Sequence, residues 1–190
     1  MAKLYSLYMP NTYFDNDYLP TLRGLTSIKV HMVCLGNICR SPMAAAVLHN
    51  KSKNLTKPLV TVSSSGTGNW HVGQGANPNS KLVWEKAGYK YNHTAQQFHP
   101  INFDKQDLIL AMDLTNRANI LNLANSPQQK AKVFMLRSFD LKLSRIDVTS
   151  PEAEKLQVPD PYGEGINSFE NVLAMVEDAC DGLIKYFSEN

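Results

Sequence analysis

The predicted fold follows from residues 28–42, which read IKVHMVCLGNICRSP. Residues 28–34 are apolar and rich in β-branched side chains, and Leu35-Gly36-Asn37 ends the run, so this part predicts a strand followed by a turn. Ser41 and Pro42 then favour the start of a helix, because serine is a common N-cap and proline suits the first helical turn. The sequence therefore predicts a strand–loop–helix unit in which Ser41 caps the helix.

Strands and helices alternate along the remaining chain. Further strands are predicted at residues 59–63, 107–112 and 132–136, and helices at residues 79–87, 115–124 and 168–187. Such alternation is typical of a parallel sheet covered by helices. The expected fold class is therefore a three-layer α/β fold, with a central four-stranded parallel sheet and helices on both faces. Residues 28–190 are expected to form a single domain, and residues 1–27 an irregular N-terminal extension.

Composition excludes several classes of protein. The chain has 190 residues, 43% of them hydrophobic, but its longest apolar runs, residues 43–48 and 108–112, are far shorter than the ~20 residues of a membrane span. The formal net charge of +2 favours neither nucleic acid nor a membrane surface as a partner. Three cysteines are too few for a disulfide framework, and the first 20 residues lack the apolar run of a secretory signal. The expected location is therefore the cytoplasm.

The loop at residues 34–41 has the features of an oxyanion-binding site. Gly36 and Asn37 tolerate positive φ, so successive backbone N–H groups can turn toward one anion. The following helix adds the positive end of its dipole, and Arg40 offers a planar guanidinium that can hold two phosphate oxygens. Because ligands of such folds bind beyond the carboxyl ends of the strands, the loop is predicted to bind phosphate there.

Cys34 is the candidate nucleophile. It stands at the end of the first strand, where the donors that attract phosphate would also stabilise a thiolate. A hydroxyl of Ser41 bonded to the sulfur would add to this effect. A thiolate beneath a site for a tetrahedral oxyanion is a nucleophile directed at phosphorus. The glycine-rich motif of nucleotide-binding P-loops is absent from the sequence, so ATP or GTP binding is not expected.

Residues 34–42 closely resemble the signature of the low-molecular-weight protein-tyrosine phosphatases. That family pairs C-x-G-N-x-C-R-S-P near its N-terminus with D-P-Y near its C-terminus, and the second motif stands here at Asp160-Pro161-Tyr162. Residues 64–73 and 111–116 are further similarities. The resemblance covers about residues 28–188. It implies the family's fold, with a phosphate-binding loop after the first strand, and the family's activity.

The resemblance also implies a mechanism. Cys34 would attack phosphorus to form a phosphocysteine, Arg40 would bind phosphate, and Asp160 would act as general acid and then as general base. Trp70 and Tyr162 would form aromatic walls at the entrance. Neither a cofactor nor a metal ion is implied, and the implied partners are phosphotyrosine-containing proteins. The implied substrate-binding residues are Leu35, Gly36, Asn37, Ile38, Cys39, Ser41, Trp70 and Tyr162.

Several residues have two interpretations. Cys39 could pair with Cys34 in a reversible disulfide, as the family's second loop cysteine does, or be a small buried apolar side chain. Asn37 is expected to stabilise the loop by hydrogen bonding rather than touch substrate. Asp113 either lies near the site or caps the helix that follows it. The histidines lack the spacing of metal ligands, so structural or surface roles are expected for His31, His49, His71, His93 and His99.

Two alternative functions fit parts of the sequence. An arsenate reductase of the same fold would use the loop cysteine to attack arsenate, but it needs two further cysteines to relay a disulfide, and Cys180 is the only one left after the loop. A non-catalytic phosphotyrosine-binding module would keep Arg40 but has no reason to retain both Cys34 and Asp160. Both alternatives are therefore disfavoured.

Overall fold

A four-stranded parallel sheet forms the centre of the molecule, whose computed structural model describes residues 17–189. The strands are β1 (Ser27–Cys34), β2 (Leu59–Gly66), β3 (Leu108–Ala111) and β4 (Val133–Met135). They lie in the order β2-β1-β3-β4, and every neighbouring pair is parallel. The α/β fold with a central four-stranded parallel sheet, predicted from the alternation of strands and helices, is thereby confirmed.

Helices cover both faces of this sheet. They are α1 (Arg40–Lys51), α2 (Pro78–Lys86), α3 (Asn102–Lys105), α4 (Leu114–Asn122), α5 (Pro127–Ala131) and α6 (Ile166–Ser188). Alternate residues of β1 serve the two layers: Val30 and Met32 pack toward α1, and Val33 packs toward α4. Residues 43–48 of α1 are buried on every side because this helix lies between the sheet and α6.

Helix α6 closes the core over α1. Its buried residues recur at spacings of three and four, which produces one apolar stripe, as the sequence pattern predicted. At Gly182 the helix meets the segment that follows β4, and a Cβ at this position would lie 1.7 Å from the carbonyl oxygen of Phe139. Glycine is therefore required for this close approach. Within residues 17–189, no helix combines the length and apolarity needed to cross a membrane.

The strand register brings the functional loops to one edge of the sheet. Cys34, the last residue of β1, lies opposite Gly66, the last residue of β2. On the other side Val33 lies opposite Ala111, the last residue of β3, so Asp113 follows at the same edge. The backbone N–H of Val158 donates to the carbonyl oxygen of Met112 at 2.7 Å, which holds the segment preceding Asp160 beside this edge. Segments from four distant parts of the chain therefore meet there.

Three local predictions were wrong. Helix α1 begins at Arg40 with Cys39 as its N-cap and without a side-chain cap; Ser41 does not cap it because its hydroxyl bonds Cys34 and Asn37 instead. Strand β2 continues through Gly66 rather than ending at residue 63, because its last residues pair with β1. The short helices α3 and α5 were not predicted, since runs of four or five residues carry too little periodicity to identify.

The segment before β1 contains regular structure in its described part. A 3₁₀ helix spans Leu19–Leu22, and both of these leucines are buried in the core beside α6. The Tyr186 hydroxyl donates to the carbonyl oxygen of Leu19 at 2.6 Å. The expectation of irregular structure is therefore wrong for residues 19–22, where two apolar side chains three apart share one buried face. The rest of the predicted extension, residues 1–16, lies outside the described residues.

A buried histidine joins β1 to β2. The ring nitrogens of His31 lie 2.7 Å from the hydroxyl oxygens of Ser63 and Ser65, and the ring packs against Phe98. Only 3% of His31 is exposed, and burial lowers its pKa to about 4. The neutral ring is therefore a structural part of the folded state, in agreement with the structural role expected from sequence.

We predict that His31 makes the stability of the protein pH-dependent. The unfolded chain binds a proton on this ring near pH 6.5, whereas the folded chain does so only near pH 4, so unfolding takes up a proton between these values. The free energy of unfolding should therefore fall by about 2 kcal/mol between pH 7.5 and pH 5 because of His31. Urea unfolding at both pH values measures this change.

The matched variant is His31→Leu, which removes the titrating group. The pKa values of His49 and His93 are also lowered by burial, so wild type and variant share their contribution, and the difference between the two pH slopes isolates His31. Equal slopes in the two proteins would contradict the assignment.

Candidate active site

The loop between β1 and α1 turns sharply at Asn37. Its backbone adopts φ 57°, the only positive φ of a non-glycine residue in the described part of the chain. This conformation aims the Asn37 backbone N–H at the sulfur of Cys34, 3.2 Å away. The loop thus curls around the end of β1, as expected for a segment whose N–H groups converge on an anion.

Hydrogen bonds on every polar atom of Asn37 hold this conformation. Its side-chain Nδ2 donates to the hydroxyl oxygens of Ser41 and Ser64, at 2.8 and 2.9 Å, and its Oδ1 accepts the Gln96 N–H at 2.9 Å. Its carbonyl oxygen accepts Nε2–H of His93 at 2.7 Å. Burial lowers the pKa of His93, although the bond to Asn37 offsets part of this effect, so the ring stays neutral at pH 7.

The sulfur of Cys34 lies at the floor of the site. The residue is 2% exposed, and its Sγ lies 3.0 Å from the Ser41 hydroxyl oxygen. The same hydroxyl oxygen accepts a hydrogen bond from Asn37 and lies 3.4 Å from the Ser65 carbonyl oxygen, so the closer sulfur, when it is a thiolate, is the better acceptor for the hydroxyl hydrogen. Two donors, the Ser41 hydroxyl and the Asn37 N–H, therefore point at Sγ and stabilise a negative charge there.

Arg40 is held between two carboxylates. Its Nη1 lies 2.6 Å from Oδ2 of Asp113, and its Nη2 lies 2.6 Å from Oδ2 of Asp160. Burial alone would lower the pKa of the guanidinium, but Cys34 and the two carboxylates together raise it above its usual value. Its Nε is buried and has no hydrogen-bond partner among residues 17–189, so one donor is free for a ligand.

Asp113 has both of the roles considered for it. Its Oδ2 accepts from Arg40, while its Oδ1 accepts the N–H of Asn116 at 2.6 Å and so caps α4. The capping bond fixes the carboxylate, and the carboxylate in turn orients the guanidinium.

Asp160 stands at the mouth of the site with 41% of its side chain exposed. Its Oδ1 accepts the backbone N–H of Tyr162 at 3.2 Å. The loop is anchored by Val158, whose carbonyl oxygen accepts from Arg40 Nη1 at 3.1 Å. A carboxyl group is therefore placed between solvent and the buried cation.

A cavity of about 370 Å³ leads from solvent to the sulfur. Its rim is aromatic: Trp70 and Tyr162 are 58% and 61% exposed. Asn37 and Ser41 do not line it and are fully buried beneath the loop, so the structure gives them supporting positions. The residues that line the cavity are Cys34, Leu35, Gly36, Ile38, Cys39, Arg40, Trp70, His71, Asp160 and Tyr162.

Cys39 is a free and buried thiol, as Cys34 is. Burial, reinforced by the nearby charges of Cys34 and Asp160, raises the pKa of Cys39 to about 12. Its thiol is therefore protonated at neutral pH. A reversible disulfide with Cys34 stays a prediction.

Sequence reasoning gave His93 a structural or surface role, but it did not identify the contacts by which Gly66, His71, His93 and Gln96 support or line the site. A Cβ on Gly66 would lie 2.6 Å from the Leu35 carbonyl oxygen, so the loop can close only against glycine. His93 and Gln96 bond Asn37 from a segment that has no regular structure, and no pattern identifies such partners in advance. His71, for which a structural or surface role was expected, lines the cavity. Its position directly after Trp70 was the one available signal.

The comparison with known proteins agrees with this geometry. A sequence model of the family described as "Low molecular weight phosphotyrosine protein phosphatase" matches residues 29–190. The chain belongs to this family. The resemblance noted in the two sequence motifs is thereby confirmed, and the chain is a phosphatase of the low molecular weight class.

Individual relatives cover most of the chain. A low molecular weight protein-tyrosine-phosphatase of Streptomyces coelicolor is 41% identical over 157 residues, which are 82% of this chain and 91% of the relative. A crystal structure of a protein tyrosine phosphatase from Entamoeba histolytica superimposes with a TM-score of 0.74 at 34% identity, covering 85% of this chain and 97% of that one. The YwlE arginine phosphatase of Geobacillus stearothermophilus superimposes with a TM-score of 0.68 at 29% identity, covering 83% and 91%.

We predict that Asn37→Ala disables the site while leaving its charged groups in place. The variant loses three side-chain hydrogen bonds, and alanine at φ 57° costs about 1 kcal/mol in backbone strain. We expect kcat/KM for para-nitrophenyl phosphate to fall by about tenfold or more, and alkylation of Cys34 by iodoacetate to slow.

The matched control is Asn79→Ala, which truncates an exposed asparagine in α2. It should behave as wild type in both assays. Wild-type kinetics in the Asn37 variant would show that the loop does not need this hydrogen-bond network.

Proposed function

We propose that this phosphatase hydrolyses phosphotyrosine through a covalent phosphocysteine on Cys34. The observation that carries the proposal is the placement of the Cys34 sulfur at the cavity floor, with the Arg40 guanidinium beside it and the Asp160 carboxyl group at the mouth. The nucleophile, the phosphate-binding cation and the proton donor thus line one cavity.

In the first step the thiolate of Cys34 attacks the substrate phosphorus. The non-bridging oxygens take hydrogen bonds from the loop N–H groups and from the free Nε–H of Arg40. The S–P bond forms as the bond from phosphorus to the tyrosyl oxygen breaks, and protonated Asp160 delivers its proton to the departing phenolate oxygen. The phenol of tyrosine has a pKa near 10, so its phenolate is a poor leaving group at neutral pH. A proton donor therefore speeds its departure.

In the second step water releases the phosphate. The Asp160 carboxylate takes a proton from the water, whose oxygen attacks phosphorus, and the S–P bond breaks. The bonding electrons return to sulfur, where the Ser41 hydroxyl and the Asn37 N–H stabilise the thiolate that leaves. Free phosphate and the starting thiolate result, so atoms and charges balance over the cycle.

The walls of the cavity favour an aryl group on the phosphate. Leu35, Ile38, Trp70 and Tyr162 present apolar surface between the rim and the floor. A phosphoarginine would bring guanidinium N–H groups into this slot, and each N–H left without an acceptor costs about 1–3 kcal/mol. Among the described residues that line the cavity, Asp160 is the only carboxylate. This supports phosphotyrosine rather than phosphoarginine, although some structural relatives are arginine phosphatases.

The proposed partners are therefore phosphotyrosine-containing proteins. Cys34 acts only when its thiol is reduced, and a reducing compartment such as the cytoplasm suits this requirement. The arsenate reductase alternative lacks support because Cys180 is buried within α6 and its pKa is raised by that burial.

We predict that Asp160→Ala lowers kcat more for a poor leaving group than for a good one. The loss for phenyl phosphate should be about 100-fold or more, because general acid catalysis contributes on this scale. The loss for para-nitrophenyl phosphate should be smaller, since para-nitrophenolate departs readily without a proton. Steady-state kinetics with both substrates measure the ratio.

Two variants accompany this test. Cys34→Ser should abolish turnover of both substrates, and Asp104→Ala, which alters an exposed aspartate in α3, should match wild type. An equal effect of Asp160→Ala on the two leaving groups would assign the acid to another carboxylate. A wild-type protein as inert as Cys34→Ser would make the chain a phosphotyrosine-binding module.

A second prediction concerns the substrate class. We expect kcat/KM for a phosphotyrosine peptide to exceed that for phosphoarginine by about tenfold or more, which corresponds to 1.4 kcal/mol, the cost of about one unpaired N–H. Phosphate release from both compounds at one pH measures the ratio. Equal or reversed values would overturn the assignment to phosphotyrosine while leaving the phosphocysteine chemistry intact.

A further inference from the structure

His71 connects the two aromatic walls of the cavity. Its ring centroid lies 6.2 Å from that of Trp70 and 6.3 Å from that of Tyr162, with the planes tilted by 59° and 51°. Trp70 belongs to the loop after β2, whereas Tyr162 belongs to the loop that carries Asp160. One imidazole ring therefore touches two loops that are distant in sequence, and such tilted ring contacts are favourable.

A hydrogen bond to Gln74 fixes the orientation of the His71 ring. Its Nδ1 lies 2.8 Å from Oε1 of Gln74, and because an amide oxygen can only accept, Nδ1–H is the donor of this bond. The backbone of Gln74 is itself held by the Ala95 N–H, which donates to the Gln74 carbonyl oxygen at 2.8 Å. The next residue, Gln96, bonds Asn37. The ring is thus anchored through Gln74 to the same segment that supports the phosphate-binding loop.

The opposite edge of the ring rests on the phosphate-binding loop. A Cβ on Gly36 would lie 2.9 Å from Cδ2 and 3.7 Å from Nε2 of His71. A side chain at position 36 would therefore displace the His71 ring. His71 thus has three neighbours: the phosphate-binding loop, Trp70 and Tyr162.

We propose that His71 is a positioning residue that sets the width of the aryl slot by holding Trp70 and Tyr162 apart, with Gln74 fixing its ring. The inference rests on the proposed function, because it concerns how that site selects an aryl phosphate. His71 acts on the ring of the substrate through the two walls. The phosphate group is bound by the loop and Arg40, and its affinity does not depend on His71.

This division of roles makes a specific kinetic prediction. In His71→Ala the walls lose their common contact, so KM for para-nitrophenyl phosphate should rise about fivefold or more, with kcat within about twofold of wild type, because the two ring contacts that position the walls are lost. The competitive inhibition constant of inorganic phosphate, which has no ring, should stay unchanged. His71→Phe restores a ring without ring nitrogens and should recover most of the lost affinity.

Two further variants separate positioning from general damage. Gln74→Leu removes the acceptor of Nδ1 while leaving the histidine in place, and should raise KM in the same direction by a smaller factor. Val72→Ala truncates an exposed neighbour that does not line the cavity, and should match wild type. Because Gln74 is exposed, its variant tests the proposal even where His71→Ala fails to fold.

The outcomes distinguish this inference from the proposed function. If wild type does not turn over para-nitrophenyl phosphate, the proposed function itself fails. If wild type is active and KM is unchanged in both His71→Ala and Gln74→Leu, the positioning role alone is wrong. A parallel rise in the inhibition constant of phosphate would also overturn it, since it would mean that His71 supports the loop and not the walls.

Discussion

Asn37 keeps a backbone conformation that L-residues avoid, and the site exists because its side chain compensates that cost. At φ 57° the residue bears about 1–2 kcal/mol of strain. Against this stand the bonds to Ser41, Ser64, Gln96 and His93, each worth about 1 kcal/mol. The bonds outweigh the strain, and they come from three segments: the start of α1, the end of β2 and residues 93–96. The loop therefore takes its shape only in the folded protein, and it is then fixed before any ligand arrives.

Arg40 joins the phosphate-binding loop to the two carboxylates beside it, Asp113 and Asp160. One nitrogen of its guanidinium bonds Asp113 and another bonds Asp160. Of the two carboxylates, only Asp113 is also held by a helix-capping bond. Asp160 is the more exposed of the two carboxylates, with 41% of its side chain accessible against 19% for Asp113. The cation that lines the cavity therefore also holds the Asp160 carboxyl group at the mouth of the site.

The sequence was sufficient to predict the fold and the phosphate-binding loop, but not the residues that surround and support this loop. Alternating apolar runs predicted the four strands, because β-branched segments of parallel sheets are continuous and easily recognised. Cys34 and Arg40 could be predicted because they lie within one short segment. Ser41 was expected both to cap a helix and to bond the Cys34 sulfur, and only the second contact is observed. Its local context did not indicate the bond to Asn37. Contacts made by residues such as Gln96 and His71 depend on which distant loops come together in the folded protein. The hydrophobic periodicity of the sequence contains no information about this.

The depth and the width of the cavity act on different parts of the substrate. Depth bears on the length of the group that carries the phosphate, and width bears on the shape of that group. Cys34 is nearly inaccessible at the floor, whereas Trp70 and Tyr162 stand more than half exposed at the rim. Under the proposed function, the position of Cys34 at the floor favours a phosphate group on a stem that reaches past the walls, such as a phenyl ring, over one on the single methylene of phosphoserine. The aromatic walls favour a flat ring between them. His71 lies between these two walls and does not contribute to depth. A change at His71 alters which stem is bound best and leaves the chemistry at sulfur as it was.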